Sequence, residues 1–158
     1  MKIGLISDTH GRLRPEVFTA LAGVDVILHA GDVGPLDILT ELEAIAPVHA
    51  VIGNTDVLEL WPRVRDVVEL ELAGRRVVLL HGHQLGSPTP ERLRGAYPDA
   101  DVIVYGHTHR QRVDVMDGCM IVNPGAAGPS RFNLKPAVAV LTLLPDEPSS
   151  VVHIDLAD

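Results

Sequence analysis

Cysteine, aromatic side chains and clustered cations are scarce in this chain, and each scarcity excludes a class of protein. A single cysteine, Cys119, in 158 residues cannot close an internal disulfide, so a disulfide-stapled secreted scaffold is excluded. Aromatic residues make up 3% of the chain against 46% hydrophobic. The core must therefore be built from Val, Leu, Ile and Ala, which suits layered strands and helices. The 13 Lys and Arg are outnumbered by 21 Asp and Glu, for a net charge of −8, and they form no dense run. Binding along an extended nucleic acid, which depends on neutralising many phosphates, is not expected. No apolar run approaches the ~18 to 20 residues that span a bilayer, because Asp, His, Gly or Pro interrupts each one. A membrane is not an expected partner. The opening Met1–Ser7 lacks the charged and long apolar regions of a secretory signal, so the expected compartment is the cytoplasm. The length suits one domain over residues 1–158, burying roughly two-thirds of the surface of its unfolded form.

What is abundant is a repeated local pattern: a short apolar run that ends in a polar cluster. Lys2–Ser7 leads to Asp8-Thr9-His10-Gly11, Val24–His29 to Gly31-Asp32, and Val48–Ile52 to Gly53-Asn54-Thr55-Asp56. Val77–Leu80 leads to His81-Gly82-His83, and Val102–Tyr105 to Gly106-His107-Thr108-His109. Runs without polar alternation predict strands covered on both faces. Between them, Pro15–Leu21 and Pro35–Ala44 read as helices, the second with Leu36, Leu39, Leu42 and Ile45 spaced for one face. Thr89–Arg94 adds a short helix with Thr89 as cap and Pro90 at its first position. Beyond Gly106, the runs Arg112–Met116, Cys119–Val122, Ala137–Leu144 and Val151–Ile154 predict strands joined by tight turns such as Asp117-Gly118, largely antiparallel. Asp146–Ser150 reads as a polar turn rather than a boundary.

Carboxylate oxygens, imidazole nitrogens and amide oxygens are the donors that hard or borderline divalent cations take. The polar clusters supply seven: Asp8, His10, Asp32, Asn54, His81, His107 and His109. Taken singly, Asp-x-His, Gly-Asp and Gly-Asn are common turn sequences. Taken together, each at the end of a strand, they point to one crevice, because the carboxyl ends of strands in an open α/β sheet converge there.

Asp8-x-His10, Gly31-Asp32, Gly53-Asn54, His81 and Gly106-His107-x-His109 resemble the signature blocks of the calcineurin-like metallophosphoesterases, in the small bacterial and archaeal phosphodiesterase branch. The resemblance implies an α/β fold in four layers, an αββα sandwich of two mixed β-sheets flanked by helices. It implies that Asp8, His10 and His109 hold one metal, that Asn54, His81 and His107 hold a second, and that Asp32 bridges them. It also implies hydrolysis of a small phosphate ester. Two cations about 3.5 to 4 Å apart can share a water, acidify it and neutralise phosphoryl charge during in-line attack. The mixed oxygen and nitrogen donors suit Mn²⁺, with Ni²⁺, Fe²⁺, Co²⁺ and Zn²⁺ also admissible. The imidazoles need acceptors to set their tautomers, and strand carbonyls or Asp56 are available.

Many family members place His after the Gly-Asn pair, where it protonates the leaving oxygen; here the residue is Thr55. General acid help is typically worth about 10² to 10⁴-fold, so slow turnover or good leaving groups are expected, and diesters rather than monoesters. His83 is placed either to supply the missing proton or to be a hydrogen-bonded bystander. Arg131 either touches a substrate phosphate or is solvated. His29 reads as a buried brace, His49 and His153 as ordinary residues, and Tyr105 and Cys119 as packing. Asn123-Pro124-Gly125 resembles a family turn near the site, with Ala126 in place of the usual Ser. Trp61-Pro62 reads as an exposed connection suited to an entrance or a dimer contact, and a homo-oligomer stays open. Two competing readings are a non-catalytic scaffold, as in a retromer subunit of this fold that is chiefly a protein-binding surface, and a metal-assisted nuclease. Intact ligands oppose the first, and acidic balance opposes the second.

Overall fold

Strand β1 (Lys2–Ile6) sets the pattern for the molecule, with Ile3 and Leu5 facing one way and Gly4 and Ile6 the other, both faces buried. The computed structural model describes residues 1–60, 63–147 and 149–157; Trp61 and Pro62 lie outside the described residues. In chain order, β1 is followed by α1 (Glu16–Ala20), β2 (Val26–His29), α2 (Asp37–Leu42), β3 (Val48–Ala50), β4 (Val67–Leu72) and β5 (Arg75–Leu80). Then come α3 (Pro90–Ala96), β6 (Val102–Val104), β7 (Gln111–Met116), β8 (Cys119–Pro124), β9 (Ala137–Thr142) and β10 (Ser150–Asp155).

The strands form two five-stranded sheets, ordered β10-β9-β1-β2-β3 and β4-β5-β6-β8-β7. In the first, β1, β2 and β3 run parallel out to one edge and β9 and β10 are antiparallel on the other side; the second has a parallel centre, β5, β6 and β8, between antiparallel margins β4 and β7. The sheets pack face to face through Ile3, Leu5, Val26 and Leu28 on one side and Val77, Leu79, Val102 and Val104 on the other. The outward-facing Ile6, Ile27 and Val48 are covered by Val17 of α1, by Leu21 at its C-terminal end and by Leu39 and Leu42 of α2. On the opposite outer face, Leu93 of α3 covers Val78, Leu80, Ile103 and Ile121, together with Tyr105 and Cys119. Four layers result, helix, sheet, sheet, helix, as expected from the sequence. Each fully buried Leu or Ile contributes roughly 1.5 to 3 kcal/mol relative to exposure, and strands covered on both faces collect that contribution at nearly every position.

The second half is largely antiparallel, as expected, in the β7–β8, β9–β10 and β1–β9 pairings, and the exception is β8, which also pairs with β6 in parallel. The β7–β8 hairpin thus extends a parallel sheet instead of founding a separate one. Strand β4, unread in the sequence, alternates half-buried Val68, Leu70 and Leu72 with Glu69 and Glu71 and joins β5 through Ala73-Gly74, both with positive φ. That is the backbone of a tight hairpin turn. Helices α1 and α2 are shorter than their apolar spacing suggested and lack side-chain caps, whereas Thr89 caps α3 as expected, accepting from the Arg92 amide, and that helix runs past Arg94 to Ala96.

Candidate metal centre

Each proposed ligand leaves a parallel strand at its carboxyl end, and the loops stay paired after the strands stop. The Asp8 amide donates to the Gly31 carbonyl and the His10 amide to that of Asp32, at 3.0 and 2.9 Å. The Gly106 amide donates to the His81 carbonyl at 3.0 Å. This stitching brings the ends of both sheets to one place. It also forces unusual backbone: Asp8, His10, Asp32, His107 and His109 have φ between 47° and 72°, the left-handed region that non-glycine residues enter rarely and Asp and His tolerate best.

The glycines before the ligands leave room for the neighbouring ligand's side chain. A Cβ on Gly53 would overlap the Asp32 carboxylate, and one on Gly106 would overlap Ser7 Oγ and sit 2.8 Å from Asp8 Oδ2. In this chain Gly-Asn and Gly-His are therefore packing requirements of the site and not merely turns.

The donor atoms converge around two carboxylates. Asp8 Oδ1 lies 3.4 Å from His109 Nε2, 3.8 Å from His81 Nε2 and 3.9 Å from His10 Nε2. Asp32 Oδ2 lies 3.3 Å from His81 Nε2 and 3.6 Å from His10 Nε2, which puts it between the two histidines. Two compact groups emerge, Asp8 with His10 and His109, and Asp8 with Asp32 and His81. The first is the trio expected for one metal. The second brings Asp8 beside Asp32 and His81, a sharing that the sequence did not suggest. His107 stands at the edge of both groups: its ring lies 5.1 Å from that of His81, and its amide donates to Asp8 Oδ2. Asn54 Oδ1 lies 3.0 Å from His81 Nε2.

The far carboxylate oxygens are held by the protein. Asp8 Oδ2 accepts from Ser7 Oγ at 2.7 Å, and Asp32 Oδ1 from the Thr55 amide at 2.9 Å. The near atoms Asp8 Oδ1 and His10 Nε2 are not: both are buried without a hydrogen-bond partner among the described residues, as is the other ring nitrogen of His109, Nδ1, a costly arrangement unless something else satisfies them. His81 is the most informative. Its Nδ1 lies 2.8 Å from the Ala30 carbonyl, which can only accept, so Nδ1 carries the proton and Nε2 turns a lone pair toward three oxygens. A proton on Nε2 relieves the clash, and His81 is held above its ordinary value. Burial lowers it, but the hydrogen bond to Asp32 and the charges of Asp8 and Asp32 raise it more. Divalent cations at the two groups would satisfy the lone pairs of Asp8 Oδ1, His10 Nε2 and His81 Nε2. For Asp32, burial pushes the carboxyl up, but His81 and the Thr55 hydrogen bonds outweigh it and hold it well below the usual carboxylate range. Burial lowers His10 and His107, which keeps these imidazoles neutral and able to donate lone pairs.

Around this cluster the remaining sequence candidates fall into place. His83 lies on the rim, its ring 5.3 Å from that of His81 and 6.4 Å from that of His107, with Nδ1 buried and unpartnered among the described residues. Burial holds it neutral too. His29 is wholly buried and braces the base: its Nδ1 accepts from the Gly31 amide, and its Nε2 donates to Thr9 Oγ1, which donates to the Val33 carbonyl. Asp56 does not support an imidazole. Its carboxylate accepts from the amides of Val33, Gly34 and Gly53 at 2.9 to 3.1 Å, tying the Asp32 loop to the Asn54 loop. Asn123 does comparable work across the site, donating to the Gly106 carbonyl and to Thr108 Oγ1 and accepting from the Gly125 amide. His153 is less ordinary than expected, donating to the Asn123 carbonyl at 2.8 Å. Arg131 is exposed, and beside it Phe132, not singled out in the sequence, has its ring 5.9 Å from that of His109.

The model of the calcineurin-like phosphoesterase superfamily domain matches residues 1–145. A probable metallophosphoesterase of Methanothermobacter thermautotrophicus is 39% identical over 153 residues, covering 90% of this chain and 86% of that protein. Phosphodiesterase MJ0936 of Methanocaldococcus jannaschii is 30% identical over 142 residues, covering 79% and 83%. In fold, the chain is similar to wild-type Vps29 of Entamoeba histolytica complexed with zinc, with a TM-score of 0.79 at 23% identity, covering 98% and 99%. The match along nearly the whole length, over a cluster built from just those strand ends, means that the chain belongs to the calcineurin-like phosphoesterase superfamily.

Proposed function

We propose that this chain is a dinuclear-metal phosphodiesterase acting on small or activated diesters. The observation that carries the reading is the meeting at His81 Nε2 of oxygens of Asn54, Asp32 and Asp8, a set of acceptors that a divalent cation would satisfy together. In this reading Asp8, His10 and His109 hold one ion, Asn54, His81 and His107 the other, and Asp32 spans both. Two bound divalent cations supply neutralisation of phosphoryl charge and an acidified water as nucleophile. The protein's part is to keep its imidazoles neutral by burial, to fix the His81 tautomer through the Ala30 carbonyl, and to aim the carboxylates through Ser7 and the Thr55 amide. Thr55 offers no acid near neutral pH. His83, on the rim, is the side chain positioned to relay a proton to the leaving oxygen, and because burial lowers its pKa it must first take that proton up; Arg131 is positioned to meet phosphoryl oxygens. Mn²⁺ is the expected metal, with Ni²⁺, Fe²⁺, Co²⁺ or Zn²⁺ as alternatives.

The second reading, a protein-interaction scaffold, draws on the likeness in fold to Vps29. The two are separated by assaying the metal-stripped protein, each divalent ion in turn, and model mono- and diesters. Diester hydrolysis restored by Mn²⁺ and lost by at least ~10³-fold in Asp32→Ala is expected, since the phosphoryl charge would go unneutralised. A protein that binds none of these ions hands the lead to the scaffold reading.

A further inference from the structure

Phe132 is 74% exposed at the rim of the candidate metal centre, in a chain with two Phe, two Tyr and one Trp. Its ring meets that of His109 at 5.9 Å with a 60° tilt, leaving most of its surface open. The backbone beneath it opposes the residue it carries. The Leu134 amide donates to the Arg131 carbonyl at 2.9 Å, and the two central residues, Phe132 and Asn133, have φ of 56° and 58°. This is the pattern of a type I′ turn, which favours Asn and Gly at its centre; a bulky aromatic there is a rare choice. The turn is also firmly rooted. Four residues before Phe132, the Gly128 amide donates to the Asp8 carbonyl at 3.2 Å, and the Gly128 carbonyl accepts from Arg14 Nε and Nη2 at 3.1 and 3.0 Å. An open ring is thus held in a fixed place beside the ligand cluster. Arg131 is exposed next to it, its side chain without a hydrogen bond or ion pair among the described residues, and its charge reaches His10.

We propose that Phe132 and Arg131 form a substrate subsite in which a planar aromatic ester group, of the nucleoside or aryl class, stacks on Phe132 while Arg131 pairs with phosphoryl oxygens. The inference rests on the phosphoesterase reading for the phosphoryl group and narrows it to esters with one flat, π-rich arm. Offset and tilted ring pairs attract at centroid separations of about 4.5 to 7 Å, and a guanidinium fork matches two phosphoryl oxygens. Among the described large hydrophobic residues, Phe132 is the most exposed.

The test uses adenosine 5′-monophosphate, phenyl phosphate and ribose 5-phosphate as probes, titrated into the purified protein by calorimetry. Wild type is expected to bind the nucleotide ~10-fold or more tighter than the sugar phosphate, the lower range of base stacking on an aromatic side chain. Phe132→Ala and Phe132→Leu should lose that preference without weakening the sugar phosphate, Phe132→Trp should keep it, and Arg131→Ala should weaken all three probes alike. Phenyl phosphate binding as tightly as the nucleotide identifies an aryl arm, and weaker binding a nucleoside. Equal affinities in wild type, or a preference that survives in both Phe132→Ala and Phe132→Leu, overturns the subsite. If the metal-loaded protein cleaves no diester but the stacking preference holds, the phosphodiesterase reading fails and the subsite stands. Intact diester cleavage without the preference gives the reverse.

Discussion

At the scale of single residues, His29 shows how burial beneath a reactive cluster becomes a dependence on pH. Desolvation lowers its pKa from 6.5 to about 4, outweighing the charges of Asp8 and Asp32 that raise it, while its two nitrogens are committed to the Gly31 amide and Thr9 Oγ1. The folded-state value lies below the unfolded one, so as pH falls the unfolded chain takes up the proton first. This residue's contribution is complete above pH 6.5 and is lost toward pH 4, about 3 kcal/mol in all. Urea unfolding at pH 7 and pH 4.5 should show His29→Gln losing about 2 to 3 kcal/mol less than wild type over that interval. Equal losses would mean that His29 is protonated with little penalty in the fold.

The seven proposed ligands were legible in the sequence because each ends a strand beside Gly or in an Asp-x-His or His-x-His pair. Asp56 was legible as useful, but its task was misread: which donors a carboxylate meets depends on loops 23 residues apart in sequence that only the fold brings together. Phe132 was not legible at all. An aromatic residue between Arg and Asn in a loop carries no signal until the turn and its exposure are known.

At the scale of elements, the loops after β2 and β3 behave as one unit because the Asp56 carboxylate spans them. Hydrogen bonds to a charged acceptor are worth about 1.5 to 3 kcal/mol each, and they do not add fully when shared by one group. Asp56→Ala is expected to lower stability by about 2 to 4 kcal/mol and to weaken divalent-metal binding, since Asp32 and Asn54 would lose their common tether. Denaturant unfolding and metal titration check the two effects. A loss of stability with unchanged metal affinity would show that the loops hold their places without it. The parallel strands were readable from their unbroken apolar runs. The pairing of β8 with β6 was not, because register between distant strands is set by the sheet beneath them and not by either strand's composition. Strand β4 carried a readable alternation in Val67–Leu72, partly concealed by its two glutamates.

At the scale of the whole molecule, the donor set is divided between the two sheets. Asp8, His10, Asp32 and Asn54 follow strands of the first, and His81, His107 and His109 follow strands of the second. A cation bound among them joins both. A ligand that binds only the folded form at a hundred times its Kd adds about 2.7 kcal/mol, which for a chain of this size raises the thermal midpoint by about 5 to 10 °C. Mn²⁺ addition to stripped protein should produce such a rise and a chelator should reverse it; an unmoved midpoint would count against metal binding at the shared strand ends.

The division has a further consequence for how such a protein can change over generations. Neither sheet alone carries a complete set of donors, so no duplication or exchange of one half can transplant the chemistry into another protein. A single substitution in either half, by contrast, can silence it while the hydrophobic layers between the sheets keep their shape. The layers can therefore outlast the donor set, whereas the donor set needs both sheets.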